Sequence, residues 1–390
     1  MIINVLNRDL VIVDIIDDAK SIIWTKRFWE CGDFELYMIA NEKNLNKVTQ
    51  GYFLSRDDDS TVMIIDKIEI KTDIDNGNFI TVTGRSAESL LERRCHMSNR
   101  QNVSMEGNYP AIISYLALSV LCNNEIFHIN NNYENNENWF CDPTRNIPCV
   151  LWLYSAIWDK LNEEYGGAGQ WTTIDQTSLV NDGTWLKTME NTAKLYGFGF
   201  ELRKHIAGST YLVLDAIISK NRSIHQTENP QIIFSKEYDN LISSNYYNDK
   251  TNYKNCAFVY GEGEGSDRIC KRIWRNPSNK PSGLDLYEVF IDARDISSTR
   301  ESKTLNHDEY GELLDIRAKE KFIEYKTVEA FDGEIQADMQ WKYKQDYFIG
   351  DIVTMQNEYG IEKDVRITAV TECEDDTGYF YIPIFENLEV

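Results

Sequence analysis

The side chains that most often carry chemistry, histidine and cysteine, occur in this sequence without the spacing of a reaction centre. The five histidines include no HExxH motif and no two that are four residues apart, so the sequence predicts no metal site. The eight cysteines are scattered without a CxxC pair, which indicates reduced thiols in a protein made in a cytosol. No G-x-S-x-G nucleophile motif occurs. We therefore expect no catalytic residue, no metal and no cofactor.

A glycine-rich segment, with Gly261, Gly263 and Gly265, follows a predicted strand and resembles the start of a phosphate-binding loop. A dinucleotide-binding loop has the pattern G-x-G-x-x-G and leads into a helix. Here the following residues 268–274 have the pattern of a strand, and the two glutamates between the glycines would repel phosphate. The segment is therefore predicted to be a hairpin turn.

Two acidic segments resemble cation sites. Residues 73–77 begin like a calcium-binding loop, but the twelfth position, where such a loop has a bidentate glutamate, is Gly84. We interpret this segment as the tip of a hairpin. The run Asp57-Asp58-Asp59 is interpreted as a solvated turn, with a metal or surface role as the alternative.

Two aromatic runs, residues 24–29 and 152–154, could stack on sugar rings. Tryptophan and tyrosine also favour cores and subunit interfaces, and that is the interpretation we prefer.

Composition excludes two classes of function. The chain has 40 Lys and Arg against 63 Asp and Glu, a formal net charge of −23, and no basic run is longer than pairs such as Arg93-Arg94. A nucleic-acid-binding protein usually has a basic patch, because phosphate contacts dominate its affinity. No stretch approaches the ~20 apolar residues of a membrane span, and the N-terminus lacks the pattern of a signal peptide. We therefore expect neither nucleic-acid recognition nor a membrane.

The first ninety residues have the pattern of strands. Phe34, Leu36 and Met38 alternate onto one face, and residues 62–70 and 79–83 form a predicted hairpin. A bulge or bend is predicted at Gly32 and Asp33, and Gly84 and Arg85 are predicted to end the returning strand of the hairpin. Ser86 is predicted to cap a short helix that runs to Leu91.

Helical spacing appears in the middle of the chain, and strands return after it. Residues 109–122, 149–164 and 182–196 are predicted helices, followed by a hairpin at 198–203 and 211–218. The last third has short strands, ending with 347–355, 365–372 and 379–385, and one helix at 307–325. The predicted fold class is α+β, mainly β. Two β-barrel-like modules, residues 1–94 and 229–390, bracket a mixed α/β insertion at residues 95–228.

Short motifs follow one another along nearly the whole chain. They include residues 32–36, 66–70 with 78–86, 253–255 with 261–265, Gly283 with Asp292, and Gly350-Asp351. In this order they resemble the siphophage tail-tip or tail-hub proteins of Gram-positive phages, and more distantly the hub proteins of contractile tails and type VI spikes. Leu286 and Tyr287 depart from this resemblance, because basic residues are associated with their positions.

The resemblance implies a structural protein of the virion tail tip, assembled in the bacterial cytoplasm, and not an enzyme. Such a hub is a homotrimer whose β-barrel-like modules form a pseudo-sixfold ring. It continues or closes the tail tube and contacts the distal tail ring, the tape-measure protein and receptor-binding or fibre proteins. DNA would pass through its lumen without specific binding. Acidic side chains are expected to line that lumen, with strand positions beside Asp33, Asp66, Glu69 and Asp351 as first candidates.

Two alternatives remain open at this point. Exposed aromatic side chains would favour a module that binds host cell-wall carbohydrate. A tail-associated cell-wall hydrolase is the other alternative.

Overall fold

The computed structural model of the chain describes residues 1–73, 77–95, 102–122, 146–151, 153, 155–166, 171–175, 183–240, 243–265, 268–300, 303–336 and 341–388. It divides into two compact units. Unit 1 comprises Met1–Asn245 and Phe331–Val390, and unit 2 comprises Tyr246–Ala330. These units group residues by contact. The predicted division after residues 94 and 228 follows composition instead, and it stays a prediction.

Strands dominate the described residues, which confirms the predicted mainly β class. In chain order they are β1 Ile3–Leu6, β2 Ile12–Ile16, β3 Ser21–Arg27, β4 Asp33–Ile39, β5 Phe53–Ser55, β6 Val62–Asp73, β7 Gly77–Ser86, β8 Asn102–Glu106, β9 Trp171–Asp175, β10 Gly199–Ala207, β11 Ser209–Ile217, β12 Ile233–Ser235, β13 Ser243–Asp249, β14 Cys256–Tyr260, β15 Cys270–Trp274, β16 Glu288–Asp292, β17 Thr299–Arg300, β18 Lys303–Thr304, β19 Val328–Gln336, β20 Ile352–Gln356, β21 Glu362–Asp375 and β22 Gly378–Asn387. The α-helices are α1 Glu42–Lys47, α2 Tyr109–Leu121, α3 Ser155–Tyr165, α4 Trp185–Tyr196 and α5 His307–Glu324.

One large sheet contains strands from both ends of the chain. Its order is β13-β19-β22-β21-β3-β4-β7-β6-β5-β1-β2, and β20 pairs with β21 and β12. The antiparallel pairing of β3 with β21 joins the N-terminal strands to the C-terminal ones. At one end of this order lies β2, whose only partner among the described strands is β1.

The alternation predicted for β4 is confirmed. Phe34, Leu36 and Met38 are buried together in a core that also contains Trp24 and Val82. The predicted hairpin is also present as β6 and β7, which pair antiparallel. Residues 74–76 at its predicted tip lie outside the described residues, and Gly77 beyond them has a φ of +90°.

The predicted helices of the middle segment are present, but two of them begin later than expected. Residues 149–151 were predicted to be helical, but Val150 forms an isolated bridge with Leu212 instead: Leu212 N donates to Cys149 O and Leu151 N donates to Leu212 O, both at 2.8 Å. Helix α4 begins at Trp185 because the side chain of Thr184 caps its first turn.

The middle segment shares its core with the N-terminal strands. Buried side chains of α2, such as Ile112 and Leu116, belong to the same apolar cluster as Leu6, Phe53 and Leu90. Helix α2 is buried on all sides, which explains its apolar composition. Helix α2 of the middle segment therefore packs on the N-terminal strands.

Unit 2 contains a three-stranded sheet that packs against α5. Strand β14 pairs antiparallel with β15 and parallel with β16, so the glycine-rich segment joins two antiparallel strands, as predicted. Helix α5 begins with a capping box formed by Asn306 and Glu309. Its buried residues Tyr310, Leu314, Ala318 and Phe322 follow helical spacing, whereas the apolar Ile316 is 52% exposed.

Candidate assembly surface

Gly32 lies where strand β4 begins and contacts the end of β7. Its N–H donates to Ser86 Oγ at 2.7 Å, and Ser86 N donates back to Gly32 O at 2.9 Å. A Cβ on Gly32 would lie 2.2 Å from Thr25 O. This position therefore requires glycine because another backbone approaches it closely.

Gly84 occupies a similarly tight position in β7. A Cβ there would lie 1.8 Å from Ile64 O. The neighbouring charged residues form surface ion pairs: Asp33 with Arg27, and Arg85 with Asp66 and Glu92. These four motif residues thus shape the junction of the β-strands and bring together no reactive groups.

Gly350 and Asp351 form a buried turn before β20. Gly350 has a φ of +91°, and a Cβ there would lie 2.3 Å from the ring of Phe28. The carboxylate of Asp351 accepts hydrogen bonds from Lys220 N at 2.9 Å and from Arg222 Nε at 2.7 Å. Asp351 is only 2% exposed. This corrects the expectation for a lumen: the Asp351 carboxylate holds two chain segments together and does not face solvent.

The other acidic residues expected near a lumen also have basic partners. Asp33 pairs with Arg27, and Glu69 pairs with Lys67 at 2.8 Å and with Lys71 at 3.2 Å. Their charge is therefore partly neutralised within the subunit.

The motif residues of unit 2 shape the loop after β14. A Cβ on Gly261 would lie 2.3 Å from the hydroxyl of Tyr310, which donates to Ile296 O at 2.8 Å. Gly263, Gly265 and Gly283 have φ angles of +109°, +55° and +62°, which favour glycine. They are turn positions, as the sequence indicated.

Asp292 at the end of β16 is surrounded by guanidinium groups. Arg294 donates to its carboxylate at 2.6 Å, and Arg268 at 2.5 Å. The hydrogen bonds from Arg294 lower the pKa of Asp292 to about 2. Arg268 Nε also donates to Gly261 O at 3.0 Å, which links Asp292 to the glycine-rich loop.

Sequence reasoning missed a buried ionic cluster in unit 1. Arg56 NH1 lies 2.8 Å from one carboxylate oxygen of Glu372 in β21, and Lys344 Nζ lies 2.9 Å from the other. Lys344 Nζ also lies 2.7 Å from Asp59, and the guanidinium of Arg56 lies over the ring of Trp24 at 5.8 Å. These four charged side chains come from three segments far apart in the chain, around residues 56–59, 344 and 372, so no sequence motif marks them.

The same cluster corrects the interpretation of the aspartate run. Asp58 is exposed, but Asp59 is buried and its carboxylate accepts the N–H and the hydroxyl of Thr61 at 2.8 Å. Burial alone would raise the pKa of Asp59, but the ammonium groups of Lys26 and Lys344 outweigh it and lower that pKa well below its usual range. Asp59 is therefore an interior anion and not part of a solvated turn.

The first aromatic run belongs to the interior, since Trp24 and Phe28 are fully buried. Trp152 and Tyr154 of the second run lie outside the described residues.

The edge strand β2 exposes aliphatic side chains. Val11, Ile12, Val13 and Ile15 are 45–57% exposed. The pairing with β1 leaves Val13 as the extra residue of a bulge, and Ile12 and Ile15 lie opposite Leu6 and Asn4, which share one face of β1. The outer backbone edge of β2 pairs with no strand of the described chain. An open edge with several exposed apolar side chains is a surface suited to pairing with another chain.

Other kinds of site find no support in the described part of the chain. It contains no group of three or more His, Cys, Asp or Glu residues placed to hold a metal ion. None of its helices is both long and apolar enough to span a membrane.

The sequence matches the family described as Siphovirus ReqiPepy6 Gp37-like protein over residues 2–385. This match confirms the family prediction made from the motifs. No curated protein is significantly similar in sequence to the chain.

Solved structures with a similar fold are phage tail proteins. The 43 kDa tail protein of prophage MuSo2 from Shewanella oneidensis is 12% identical, with a TM-score of 0.53 over 99% of this chain and 98% of that one. A tail protein from Neisseria meningitidis is 11% identical, with a TM-score of 0.53 over 99% and 96%. A type VI secretion component of E. coli is 10% identical over 96% of this chain and 74% of that one, but its TM-score of 0.38 is too low to indicate a shared fold. The chain therefore has the fold of phage tail proteins.

Proposed function

The chain belongs to the family of Siphovirus ReqiPepy6 Gp37-like proteins, and on this premise we propose that it is a hub subunit at the tip of a phage tail. In this role it continues or closes the tail tube. It connects the distal tail ring to receptor-binding or fibre proteins, and it meets the tape-measure protein inside the tube. Its work is structural and involves no catalysis. It is assembled in the host cytoplasm and resides in the virion.

The observation that carries this proposal is the open edge of β2. A protein that works alone gains nothing from four exposed aliphatic side chains beside an unpaired strand edge, because that arrangement promotes aggregation. A subunit of a ring uses such an edge, since pairing with a neighbour covers both the backbone groups and the side chains. We propose that β2 contacts the neighbouring subunit of a homotrimer.

The charge of unit 1 supports passage of DNA through the ring. Outside unit 2 the sequence has 26 Lys and Arg against 47 Asp and Glu, a net charge of −21. A lumen lined by part of this excess would repel phosphate and keep DNA from binding. In the proposed architecture the modules at residues 1–94 and 229–390 provide the tube wall, and residues 95–228 pack outside it.

Native mass spectrometry of the purified chain tests this proposal. We expect a trimer for the natural sequence and a monomer for Ile12→Glu, because a charge on an edge strand opposes pairing. Ile206→Glu is the matched control, since Ile206 is 72% exposed at the end of another strand, β10. A monomeric natural protein at high concentration, or a trimer that survives Ile12→Glu, would contradict the proposed contact.

A further inference from the structure

The three-stranded sheet of unit 2 has one covered face and one open face. Ala257 and Val259 of β14 are buried in the core that contains Tyr310 and Leu314 of α5. Because side chains alternate along a strand, Phe258 and Tyr260 lie on the opposite face.

Four aromatic side chains and one arginine occupy the open face together. Phe258 is paired in register with Arg272 of β15 on one side and with Phe290 of β16 on the other. Trp274 lies two residues beyond Arg272 on the same face. The rings of Tyr260 and Phe290 lie 5.0 Å apart, and Phe290 is 61% exposed. This face therefore presents ring surfaces to solvent.

Two arginines lie across these rings. The guanidinium carbon of Arg272 is 4.3 Å from the ring centre of Trp274 and 5.3 Å from that of Phe258. The guanidinium carbon of Arg268 is 5.2 Å from the ring centre of Tyr260 and 5.9 Å from that of Phe290. Such stacking holds each planar group in place and directs its N–H donors along the surface.

Each arginine also has an acidic partner at the same face. Glu288 lies 3.4 Å from Arg272, and Asp292 lies 2.5 Å from Arg268. Donors and acceptors therefore lie side by side near the rings, and the two carboxylates offset most of the positive charge of Arg272, Arg268 and Arg294.

We propose that this face binds a neutral oligosaccharide. A sugar ring has an apolar face of C–H groups, which packs on an aromatic ring, and an edge of hydroxyl groups, which need both donors and acceptors. The open face supplies rings, guanidinium donors and carboxylate acceptors within one patch. A purely apolar partner would remove these ion pairs from water without offering them new hydrogen bonds, which costs free energy.

A nucleic acid fits this face less well. Single-stranded nucleic acids also stack on aromatic side chains, but they need a groove with net positive charge for the phosphates. Here Glu288 and Asp292 offset most of the charge of Arg272, Arg268 and Arg294, and unit 2 as a whole has 14 Lys and Arg against 16 Asp and Glu. A face without a strong positive charge favours an uncharged ligand.

Isothermal titration calorimetry of the full chain tests the proposal with three tetrasaccharide probes: the β1,4-linked tetramers of N-acetylglucosamine and of glucose, and the α1,4-linked tetramer of glucose. We expect at least one probe to bind. Phe290→Ala should weaken its binding about tenfold, or about 1.4 kcal/mol, because it removes a ring on which the sugar stacks. Phe290 is largely exposed, so this variant keeps its fold, which circular dichroism checks.

Tyr359→Ala is the matched control, because Tyr359 is also a highly exposed aromatic residue but lies in unit 1, outside the open face. It should leave the affinity unchanged. Three results would overturn the proposal: no probe binds the natural protein, binding is unaffected by Phe290→Ala, or an oligodeoxythymidine binds this face in place of the sugars. The hub proposal is tested by the oligomeric mass and the oligosaccharide proposal by calorimetry, so either proposal can fail without the other.

Discussion

The two units of the molecule place their charged side chains differently. Unit 1 has most of the acidic excess of the chain, yet several of its ions are interior, such as Asp59, Glu372 and Asp351. Unit 2 has nearly balanced charge, and its ion pairs, such as Arg272 with Glu288, lie on the open face of a small sheet. Interior ions fix the geometry of a structure, whereas surface pairs leave polar groups available for ligands. In the two proposals above, this difference suits unit 1 to a rigid framework and the open face of unit 2 to recognition of a ligand.

The largest difference between the units should appear when one carboxylate is neutralised in each. Glu372→Gln leaves Arg56 and Lys344 without their shared anion, and we expect unit 1 to lose about 4 kcal/mol of unfolding free energy. Glu288→Gln removes the surface partner of Arg272, and we expect no measurable loss. Denaturant titration followed by hydrogen exchange locates the change in each unit. Equal losses would remove the distinction between interior and surface ions.

A second comparison uses two glycines with positive φ. Gly350→Ala places a Cβ against Phe28, and we expect a loss of about 3 kcal/mol from backbone strain and steric overlap. Gly283→Ala has the same kind of backbone strain, with no other heavy atom within 4 Å, and we expect a loss of about 1 kcal/mol. Thermal unfolding of both variants measures the difference. Equal losses would mean that steric overlap between the new Cβ and Phe28 adds nothing to the destabilisation.

A smaller effect, of opposite sign, is expected at Glu88. Burial raises the pKa of this carboxyl, whose Oε1 accepts a hydrogen bond from Leu202 N at 2.6 Å. Because folding raises the pKa of Glu88, protonation of its carboxyl stabilises the folded state. This contribution to the free energy of unfolding is fully present below the unfolded pKa of 4.5 and is lost as the pH rises through the folded pKa. Glu88→Gln keeps the acceptor and should stabilise unit 1 at about pH 7, with the gain disappearing in acid. A destabilised variant at neutral pH would contradict this assignment.

The smallest effect is expected at the surface of unit 2. The folded pKa of Asp292 is about 2 and the unfolded value is 3.8, so its contribution is present above 3.8 and is lost as the pH falls toward 2. Asp292→Asn should lower the unfolding midpoint of unit 2 slightly at about pH 6, and less so in high salt. Hydrogen exchange of unit 2 over a pH series measures it. A difference that persists at the lowest pH would point to a cause other than the charge of Asp292.

The local elements of this fold could be read from the sequence, because they depend on neighbours in the chain. Alternation identified the buried face of β4 through Phe34, Leu36 and Met38, and helical spacing identified α2 and α5. The start of α3 was wrong because residues 149–151 pair with Leu212, a partner that only the tertiary structure supplies. Helix propensity alone cannot predict where a tertiary contact outweighs it.

The features that distinguish the two units could not be predicted in this way. Asp59 was interpreted as a solvated residue because it stands in a run of three aspartates, whereas its partner Lys344 comes from the last part of the chain. Likewise, the β-branched run from Leu10 to Ile16 has the pattern of a strand, but only the order of the sheet shows that this strand lies at its edge. Family resemblance located the glycines and said nothing of these contacts.

The pairing of β3 with β21 has a consequence for the way the protein is made. Trp24 faces Glu372 in that pairing, so the contact closes a loop of most of the polypeptide. During synthesis β3 emerges long before β21, and its edge stays open until the ribosome has nearly finished. Completion of the large sheet is therefore a late and slow event, and chains interrupted before β21 expose β3 to aggregation.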